Sequence, residues 1–385
     1  MKRLINKIDK PILIITIVFI IFGSLMILSA SSIRSFMEYG VYYQYFIKQL
    51  VIITVGLIAS YIIIKTPLKT YRYYIYFILI AIITTLIILL ISGTITNNMK
   101  GWFYLFGFGI QPSEFAKVIL IVFMAIYFER IIKTTGSKTE LTKLIGFPFG
   151  IAAVIIGLVF AQPDYGTALI ISSIVGLIFI IIPLQKKIKV SVTLSILGLI
   201  AVVLLIVLLS GHSLLKNYQK SRLLDFSSPC KYYREEKGYQ VCNGFIAINT
   251  GGLFGLGPGN SKQKYLYLPE AHTDFIFPII VEETGLVTGG IVLLLYALLL
   301  SRIVIIGRRS HTLQGYIIAY GVAFYILIHI TVNLGGVLGI IPLTGVPLPF
   351  LSYGGSYMLS LMVSIAFVQR VEIENKMFFE KNYLK

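Results

Sequence analysis

A short polar cluster stands immediately before a long apolar run in the second half of the chain. It contains Pro269, Glu270, His272 and Asp274, and the apolar run begins directly after Asp274. A carboxylate at the mouth of a membrane helix is incompletely solvated, so its pKa is adjustable and it can act as a base on a substrate at the membrane surface. The alternative is a helix N-cap, which is a common position for an isolated aspartate.

Several cationic side chains and one tryptophan stand in or next to the polar connections of the chain. They are Lys100, Trp102, Lys117, Arg222, Lys262 and Lys264. Glu114 stands three residues before Lys117. Two interpretations of Lys117 are open, and both can hold: it forms an ion pair with Glu114 that fixes a helix start, or it is a functional lysine at membrane depth. For the other cations the alternative is ordinary headgroup-facing charge, and for Trp102 it is a membrane-interface anchor.

Several further polar positions are predicted to have structural roles. Glu282 and Glu283 lie about two turns inside the apolar run, and adjacent helix positions point in different directions, so at most one can line a cavity. Asp164 is in a tight turn, where a helix cap is favoured over a metal ligand. His329 is predicted to be hydrogen-bonded packing inside a helix, and His272 to be a surface histidine.

The elements that must position these residues are membrane-spanning helices. The 385 residues are 57% hydrophobic and 13% charged, with a mean hydropathy of +0.88, which is outside the range of soluble domains. Runs long and apolar enough to span a bilayer occupy about 11–30, 45–64, 74–92, 113–131, 145–161, 166–183, 190–210, 275–300, 316–333 and 352–369. The sequence therefore predicts an all-α polytopic membrane protein with about ten transmembrane helices in one domain, residues 1–385.

The distribution of Lys and Arg predicts the orientation of these spans. With a cytoplasmic N-terminus, 21 of the 33 basic residues fall on the inner side, as the positive-inside rule requires. The net charge of +17 is then a topology signal, and no nucleic-acid partner is expected. We interpret run 11–30 as the first span because it is long for a signal peptide. Ten spans place the C-terminus in the cytoplasm as well.

The connections on the outer side carry most of the glycine and proline. The largest is an extracellular loop of about residues 211–274, between spans 7 and 8, and apolar residues within 239–249 are spaced as on a short interfacial helix. The glycine-rich stretch 251–259 follows, and 333–356 is a second irregular stretch. Since irregular backbone at membrane depth is tolerated where it lines a protein cavity, these stretches predict a cavity that opens outward.

Cys230 and Cys242 are the two cysteines of the chain, and both fall in the large outer loop. Outside the cytoplasm such a pair can form a disulfide, and two unpaired small apolar residues are the alternative. No His or further Cys lies at zinc-ligand spacing.

Five stretches resemble, in order, the motifs of the SEDS family, which comprises FtsW, RodA and SpoVE. They are 97–102 leading into 109–117, then 162–167, 239–264, 268–277 and 333–355. The fourth stretch, Leu-Pro-Glu-Ala-His-Thr-Asp-Phe-Ile-Phe, is the most similar to its family motif. In the first stretch, Asn98 and Met99 stand where the family has Gly-Ala. In the third stretch, Cys242 and Asn243 stand where the family has Gln-Ser.

The resemblance implies a peptidoglycan glycosyltransferase that polymerises lipid II at the outer face of the cytoplasmic membrane. The acceptor hydroxyl then needs a general base, and Asp274 matches the family's catalytic aspartate. Undecaprenyl pyrophosphate leaves as an anion, so it needs cationic stabilisation and no second carboxylic acid. Lys100, Trp102, Lys117, Arg222, Lys262, Lys264 and Glu270 are expected to contact sugar or pyrophosphate. A divalent cation, Mg²⁺ or Mn²⁺, is a further alternative for this role.

Within the family, Glu-Ala-His and Ser-Lys-Gln-Lys are more similar to FtsW and SpoVE than to RodA. Septal synthesis during cell division is the role expected from this, with RodA-like elongation and SpoVE-like sporulation as alternatives. The resemblance also implies a class B penicillin-binding protein and divisome membrane proteins as partners. From other classes, a lipid II flippase and a non-catalytic scaffold for a transpeptidase remain open.

Overall fold

The computed structural model describes residues 6–96, 99–105, 107–135, 144–187, 189–191, 193–194, 229–230 and 238–383. The helices in these ranges are α1 (Lys10–Tyr39), α2 (Gln44–Lys65), α3 (Leu68–Ser92), α4 (Pro112–Thr135), α5 (Gly146–Ala161), α6 (Tyr165–Ile181), α7 (Tyr239–Gly251), α8 (Ile276–Arg308), α9 (Leu313–Val337) and α10 (Gly355–Tyr383). The strands are β1 (Thr94–Thr96), β2 (Met99–Leu105) and β3 (Phe108–Ile110).

Within the described ranges, six helices are long and apolar enough to cross a membrane, namely α1, α2, α3, α8, α9 and α10. The helices α5 and α6 are apolar but shorter, and α4 has 24 residues with several ionisable side chains. The predicted polytopic helical class is therefore confirmed. The predicted seventh span, 190–210, lies almost wholly outside the described residues, so the total of ten stays a prediction.

The helices form a bundle with α4, α9 and α10 towards its centre. In the most apolar window of α10, 83% of the residues are buried within the protein, whereas α3 has 22% buried and presents most of its surface outward. Such a difference is expected when α3 faces lipid and α10 faces other helices, because lipid tails and protein interiors are similarly apolar.

Both ends of the described chain lie at one end of this bundle. The Asp9 side chain caps α1 by accepting from the Ile12 amide at 3.0 Å, and it also accepts from Arg302 at 2.6 Å. Gln369 of α10 exchanges two hydrogen bonds with the Asp9 backbone. We call this the Asp9 end. Since α1 begins there and α10 finishes there, the contacts agree with an even number of membrane crossings.

The small antiparallel sheet β1–β2–β3 fills the connection between α3 and α4. Thr94 pairs with Trp102, and Phe103 pairs with Ile110. The sequence analysis did not predict this sheet, although the β-branched and aromatic residues at 94–96 and 102–104 are typical strand formers.

Helix α8 is interrupted at Gly285, whose φ of 86° is outside the helical region. The backbone of the glycine-rich stretch 252–257 fills the interruption. Leu256 and Gly257 donate to the Glu282 and Glu283 carbonyls, each at 2.9 Å, and the Leu286 amide donates to the Gly252 carbonyl at 2.9 Å. The stretch thus satisfies the polar groups that the break exposes, as backbone inside a membrane protein requires.

Candidate active site

Asp274 lies at the opposite end of α8 from Arg302, and we call this end of the bundle the Asp274 end. The residue is 7% exposed. Phe275 occupies the N-cap position of α8 and Ile276 begins the helix, so the alternative that Asp274 is the N-cap is not what the structure shows. The carboxylate is therefore held beside the helix start without being used as its cap.

The connection between α9 and α10 holds the backbone around Asp274. Asn333 donates through one nitrogen to the carbonyls of Asp274 and Val346, each at 2.8 Å. Gly345 has a φ of +71°, and a Cβ built on it would lie 3.9 Å from the Asp274 Oδ2 atom. Asn333 of the fifth motif thus fixes the backbone of the fourth motif, and Gly345 lies next to the carboxylate.

The two residues before Asp274 are held by the same connection. The Ser352 hydroxyl donates to the Thr273 carbonyl at 2.5 Å, and it accepts from the Leu348 amide at 2.8 Å. The Tyr353 amide donates to the His272 carbonyl at 2.8 Å. Because these bonds restrain consecutive residues, the position of Asp274 is set by tertiary contacts as well as by its own helix.

Glu270 is bound to α1 through an ion pair with Arg34, with 3.0 Å between the Nη1 and Oε1 atoms. Arg34 also pairs with Glu38 on its own helix at 2.9 Å. Burial, the largest single effect, raises the pKa of Glu270, but the Arg34 charge together with smaller effects, including the hydrogen bonds from Thr273 and Arg34, brings that pKa below its ordinary value. Glu270 is consequently ionised at neutral pH. Its predicted contact with substrate stays a prediction.

His272 is 4% exposed, so the expectation of a surface histidine is wrong. Its ring lies 4.7 Å from the Tyr45 ring centroid and 5.7 Å from that of Tyr353. These aromatic neighbours come from α2 and from the connection before α10, which the local sequence does not reveal. Burial lowers the pKa of His272 to about 4, although the Glu270 charge acts in the opposite direction. The imidazole is therefore neutral at physiological pH.

Lys117 is completely buried within the bundle, about one and a half turns into α4. Both carboxylate oxygens of Glu114 lie 2.8 Å from its Nζ atom, so the predicted ion pair is confirmed. The Nε2 atom of His329 lies 3.0 Å from the same Nζ, and its Nδ1 faces the Pro347 carbonyl at 3.4 Å. His329 is hydrogen-bonded packing, as predicted. Through Pro347, this cluster contacts the α9–α10 connection, which also holds Asp274.

The Lys264 ammonium is hydrogen-bonded to other groups of the protein. Its Nζ donates to Ser29 Oγ at 3.1 Å, to the Gly259 carbonyl at 2.5 Å and to Glu283 at 3.2 Å. An ammonium has three donors, and three protein oxygens occupy them, which argues against the predicted pyrophosphate contact. Lys262 has an exposed side chain and stays a candidate.

Glu282 and Glu283 are both buried and have the structural role predicted for them. Glu282 accepts from the Ser261 hydroxyl at 2.5 Å and from the Lys262 amide at 3.1 Å. Glu283 accepts from the Ser29 hydroxyl at 2.6 Å and from the Gly259 amide at 3.0 Å. Neither is directed into open space, because both carboxylates anchor the stretch 259–264 to α8.

The remaining candidates are described only in part. Lys100 is in strand β2, but its side chain lies outside the described structure, as does the whole of Arg222. Trp102 is half-buried and its ring packs over Gly109, where an added Cβ would lie 3.0 Å from a ring carbon. The predicted sugar or phosphate contacts of these three residues stay predictions.

Asp164 caps α6 by accepting from the Thr167 amide at 3.1 Å, and its second oxygen accepts from Gln111 at 2.8 Å. The predicted cap is therefore confirmed. In the part of the chain that the structure describes, no group of three or more His, Cys, Asp and Glu side chains is arranged to hold a metal ion.

Cys230 and Cys242 are joined by a disulfide bond in the structure, with their Cα atoms 5.0 Å apart. Cys242 is on α7, which coincides with the interfacial helix expected within 239–249. The bond ties residue 230 of the large loop to this helix.

Several residues of this site carried no signal in the sequence analysis. Arg34 and Ser352 acquire their roles through contacts with residues more than 70 positions away. Thr273 lies in the fourth motif between the candidates Glu270 and Asp274, and this position could have marked it as a residue of the site.

The comparisons with known proteins agree with this arrangement. The profile of the FtsW/RodA/SpoVE family, described as "Cell cycle protein", matches residues 10–377. A protein of Coxiella burnetii named "Probable peptidoglycan glycosyltransferase FtsW" is 32% identical, over 96% of this chain and 97% of the relative. "Stage V sporulation protein E" of Bacillus subtilis is 31% identical, over 94% of this chain and 96% of the relative.

Solved structures show the same fold. The Rod shape determining protein RodA of Thermus thermophilus superposes with a TM-score of 0.65 at 23% identity, covering 95% of this chain and 96% of that one. A chain from the structure described as "Structural coordination of polymerization and crosslinking by a peptidoglycan synthase complex" gives a TM-score of 0.72 at 24% identity, covering 96% and 98%. The chain therefore belongs to the FtsW/RodA/SpoVE family, the SEDS family that its motifs resemble.

Proposed function

We propose that this chain is a peptidoglycan glycosyltransferase that polymerises lipid II into glycan strands, with Asp274 as the general base. The observation that carries the proposal is a buried carboxylate whose backbone is fixed by tertiary hydrogen bonds at one end of a membrane bundle. The names of relatives that align over almost the whole chain support it.

The reaction requires one bond to form and one to break at the anomeric carbon of the donor. The acceptor hydroxyl oxygen attacks this carbon, its proton passes to the Asp274 carboxylate, and the bond to undecaprenyl pyrophosphate breaks. Since the pyrophosphate leaves as an anion, cations stabilise it. The exposed Lys262 is a described candidate for this contact, and Arg222 is a candidate from the sequence.

A divalent cation, Mg²⁺ or Mn²⁺, has no cluster of protein ligands in the described residues. One or two carboxylates and the phosphates of a substrate are enough to hold Mg²⁺, so the divalent cation stays a prediction. We assign no step of the reaction to a metal, and a cation associated with the pyrophosphate would belong to the substrate.

We place the Asp274 end of the bundle at the outer face of the cytoplasmic membrane and both chain ends in the cytoplasm. The asymmetry of Lys and Arg supports this orientation, and the contacts of Asp9 with Gln369 support an even number of crossings. Lipid II polymerisation then takes place outside the cell, where the glycan strands are needed.

We assign the chain to septal wall synthesis, with a class B penicillin-binding protein and divisome proteins as partners. The support is the FtsW name of several relatives and the fold shared with a chain of a peptidoglycan synthase complex. The sporulation protein among the relatives and the RodA structures keep the other two family roles as alternatives.

Reconstitution of the full chain with purified lipid II tests the function. The chain is placed in liposomes with and without a class B penicillin-binding protein whose own transpeptidase site is blocked, and products are separated by gel electrophoresis. We expect a ladder of long glycan strands that a muramidase digests. Fluorescent lipid II that crosses the bilayer without polymer formation would instead identify a flippase, and neither product would indicate a scaffold.

A further inference from the structure

We propose that the proton taken up by Asp274 leaves through the Thr273 hydroxyl to the Glu270 carboxylate, which releases it to water. The proposal rests on the glycosyltransferase function above and adds two residues to it. Thr273 and Glu270 act through Asp274, so we call them relay residues. Both belong to the fourth motif, and Glu270 is the more exposed end of the path, with 35% of its side chain accessible.

The Thr273 hydroxyl stands between the two carboxylates. Its Oγ1 atom lies 2.9 Å from Glu270 Oε2, 3.1 Å from Asp274 Oδ1 and 3.1 Å from the Glu270 carbonyl oxygen. A hydroxyl has one proton to donate and can accept from other donors. The single hydroxyl hydrogen of Thr273 therefore has three oxygen acceptors within reach. When Asp274 carries a proton, Asp274 becomes the donor and the Thr273 oxygen accepts from it.

Glu270 occupies a backbone conformation that a glycine would adopt without strain. Its φ is +54°, in the left-handed region that costs a residue with a Cβ about 1 kcal/mol or more. Its carbonyl accepts from the amides of Thr273 and Phe275, at 3.1 and 3.2 Å, which closes the turn before α8. The turn brings the Glu270 side chain back beside Thr273, which is the geometry that a relay needs.

Arg34 and the aromatic cluster define the other surroundings of Glu270. Arg34 holds Oε1 and leaves Oε2 to Thr273. Glu38 lies on the far side of Arg34, and the neutral His272 packs between Tyr45 and Tyr353. Glu270 is therefore an ionised acceptor with one oxygen directed to the hydroxyl.

The transfer balances without any further reactant. As the acceptor oxygen bonds to the anomeric carbon, its proton moves to Asp274. Protonated Asp274 donates to Thr273 Oγ1 while the Thr273 proton moves to Glu270 Oε2, so Asp274 returns to its ionised form. Glu270 then loses the proton to water, and the net products are the extended glycan, the pyrophosphate anion and one solvated proton.

The test measures kcat and KM for lipid II polymerisation by the reconstituted full chain and its variants. Thr273→Val removes the hydroxyl at similar size, and Glu270→Gln keeps an oxygen acceptor that does not take up the proton. We expect each to lower kcat by about tenfold with KM unchanged, less than the roughly 100-fold or greater loss on removal of a base. Thr273→Ser should retain activity, and Thr273→Val/Glu270→Gln should lose no more than either single variant.

Two control variants separate the relay from a structural role. Thr288→Val removes a hydroxyl from α8 that donates to the Thr284 carbonyl of the preceding turn, and it should be neutral. Glu372→Gln makes the same substitution in an ion pair with Lys376 on α10, away from the site, and it should also be neutral.

Three results would overturn the relay: normal kcat in Thr273→Val or Glu270→Gln, equal losses in Glu372→Gln, or losses that multiply in the double variant. If Thr273→Val lowers the thermal midpoint, the decision rests on Glu270→Gln and Thr273→Ser. A wild-type chain that forms no polymer contradicts the proposed function itself. Polymerisation that requires Asp274 but neither relay residue contradicts the relay alone.

Discussion

Lys117 illustrates how single residues are used in this protein. Its ammonium is fully buried between Glu114, His329 and the rings of Tyr325 and Tyr357, whose centroids lie 5.3 and 5.6 Å away. The Glu114 partner was predictable because positions three apart on a helix face each other. His329 was not predictable as a partner, since it is 212 residues away and its contact depends on how α9 packs against α4.

Removing one member of this buried pair should be more damaging than removing both. Lys117→Met leaves the Glu114 charge buried without its cation, which should cost about 3–5 kcal/mol of folding free energy. Lys117→Met/Glu114→Leu removes both charges and should recover most of that loss. Thermal unfolding of the purified variants in detergent measures the difference. A double variant less stable than Lys117→Met would contradict the account of the pair.

The buried His272 should make the protein less stable as the medium is acidified. The folded pKa of about 4 is below the value of about 6.5 expected for an unfolded chain, so between these values the unfolded state binds more protons. Stability therefore falls as the pH drops, by roughly 2 kcal/mol between pH 7 and 5. His272→Gln does not titrate there and should lose this part of the pH dependence. Identical midpoint shifts in wild type and His272→Gln would refute the assignment.

The break in α8 binds the glycine-rich stretch 252–257 against the helix. Glycine content predicted an irregular stretch at 251–259, but its contact with α8 depends on tertiary packing. An added Cβ would lie 2.3 Å from the Glu283 carbonyl oxygen at Gly255, and 2.2 Å from the Leu253 carbonyl oxygen at Gly285. Steric constraints of this kind are invisible in a single sequence, because many glycines serve only as flexible turns.

Two glycines with nearly equal positive φ angles allow the cost of crowding to be measured separately from the cost of left-handed strain. Gly255 and Gly259 have φ values of +80° and +81°, but only Gly255 has backbone within reach of an added Cβ. Gly259→Ala should cost the left-handed strain alone, about 1–2 kcal/mol. Gly255→Ala should cost about 1–3 kcal/mol more, since the stretch must move away from α8. Thermal midpoints measure both, and equal losses would show that the stretch is not packed as described.

At the scale of the whole molecule, apolar length and basic-residue distribution predicted the polytopic architecture. Nine of the ten predicted runs coincide with helices of the described structure, because hydropathy depends little on tertiary contacts. The sheet β1–β3 and the fixation of Asp274 by the α9–α10 connection were not predicted, since both depend on partners distant in sequence. The candidate cations were found by charge alone, and charge did not distinguish the buried Lys264 from the exposed Lys262.

The proposed orientation predicts opposite labelling of the two ends of the bundle. Lys186 and Lys262 are both exposed, and they follow α6 and precede α8 respectively. In intact cells, Lys262→Cys should react with a membrane-impermeant maleimide, whereas Lys186→Cys should react only after permeabilisation. The native cysteines are joined in a disulfide and do not compete. The reverse pattern would place Asp274 in the cytoplasm and remove the basis for synthesis outside the cell.

The most direct test of the central claim is the polymerisation rate of Asp274→Asn in liposomes with lipid II and the transpeptidase partner. The substitution keeps the shape of the side chain and the backbone bonds from Asn333, but the amide does not accept the acceptor's proton. We expect an unchanged thermal midpoint, retained binding of the partner, and a rate lower by about 100- to 10,000-fold. Polymerisation at close to the wild-type rate would show that Asp274 is not the base and contradict the account.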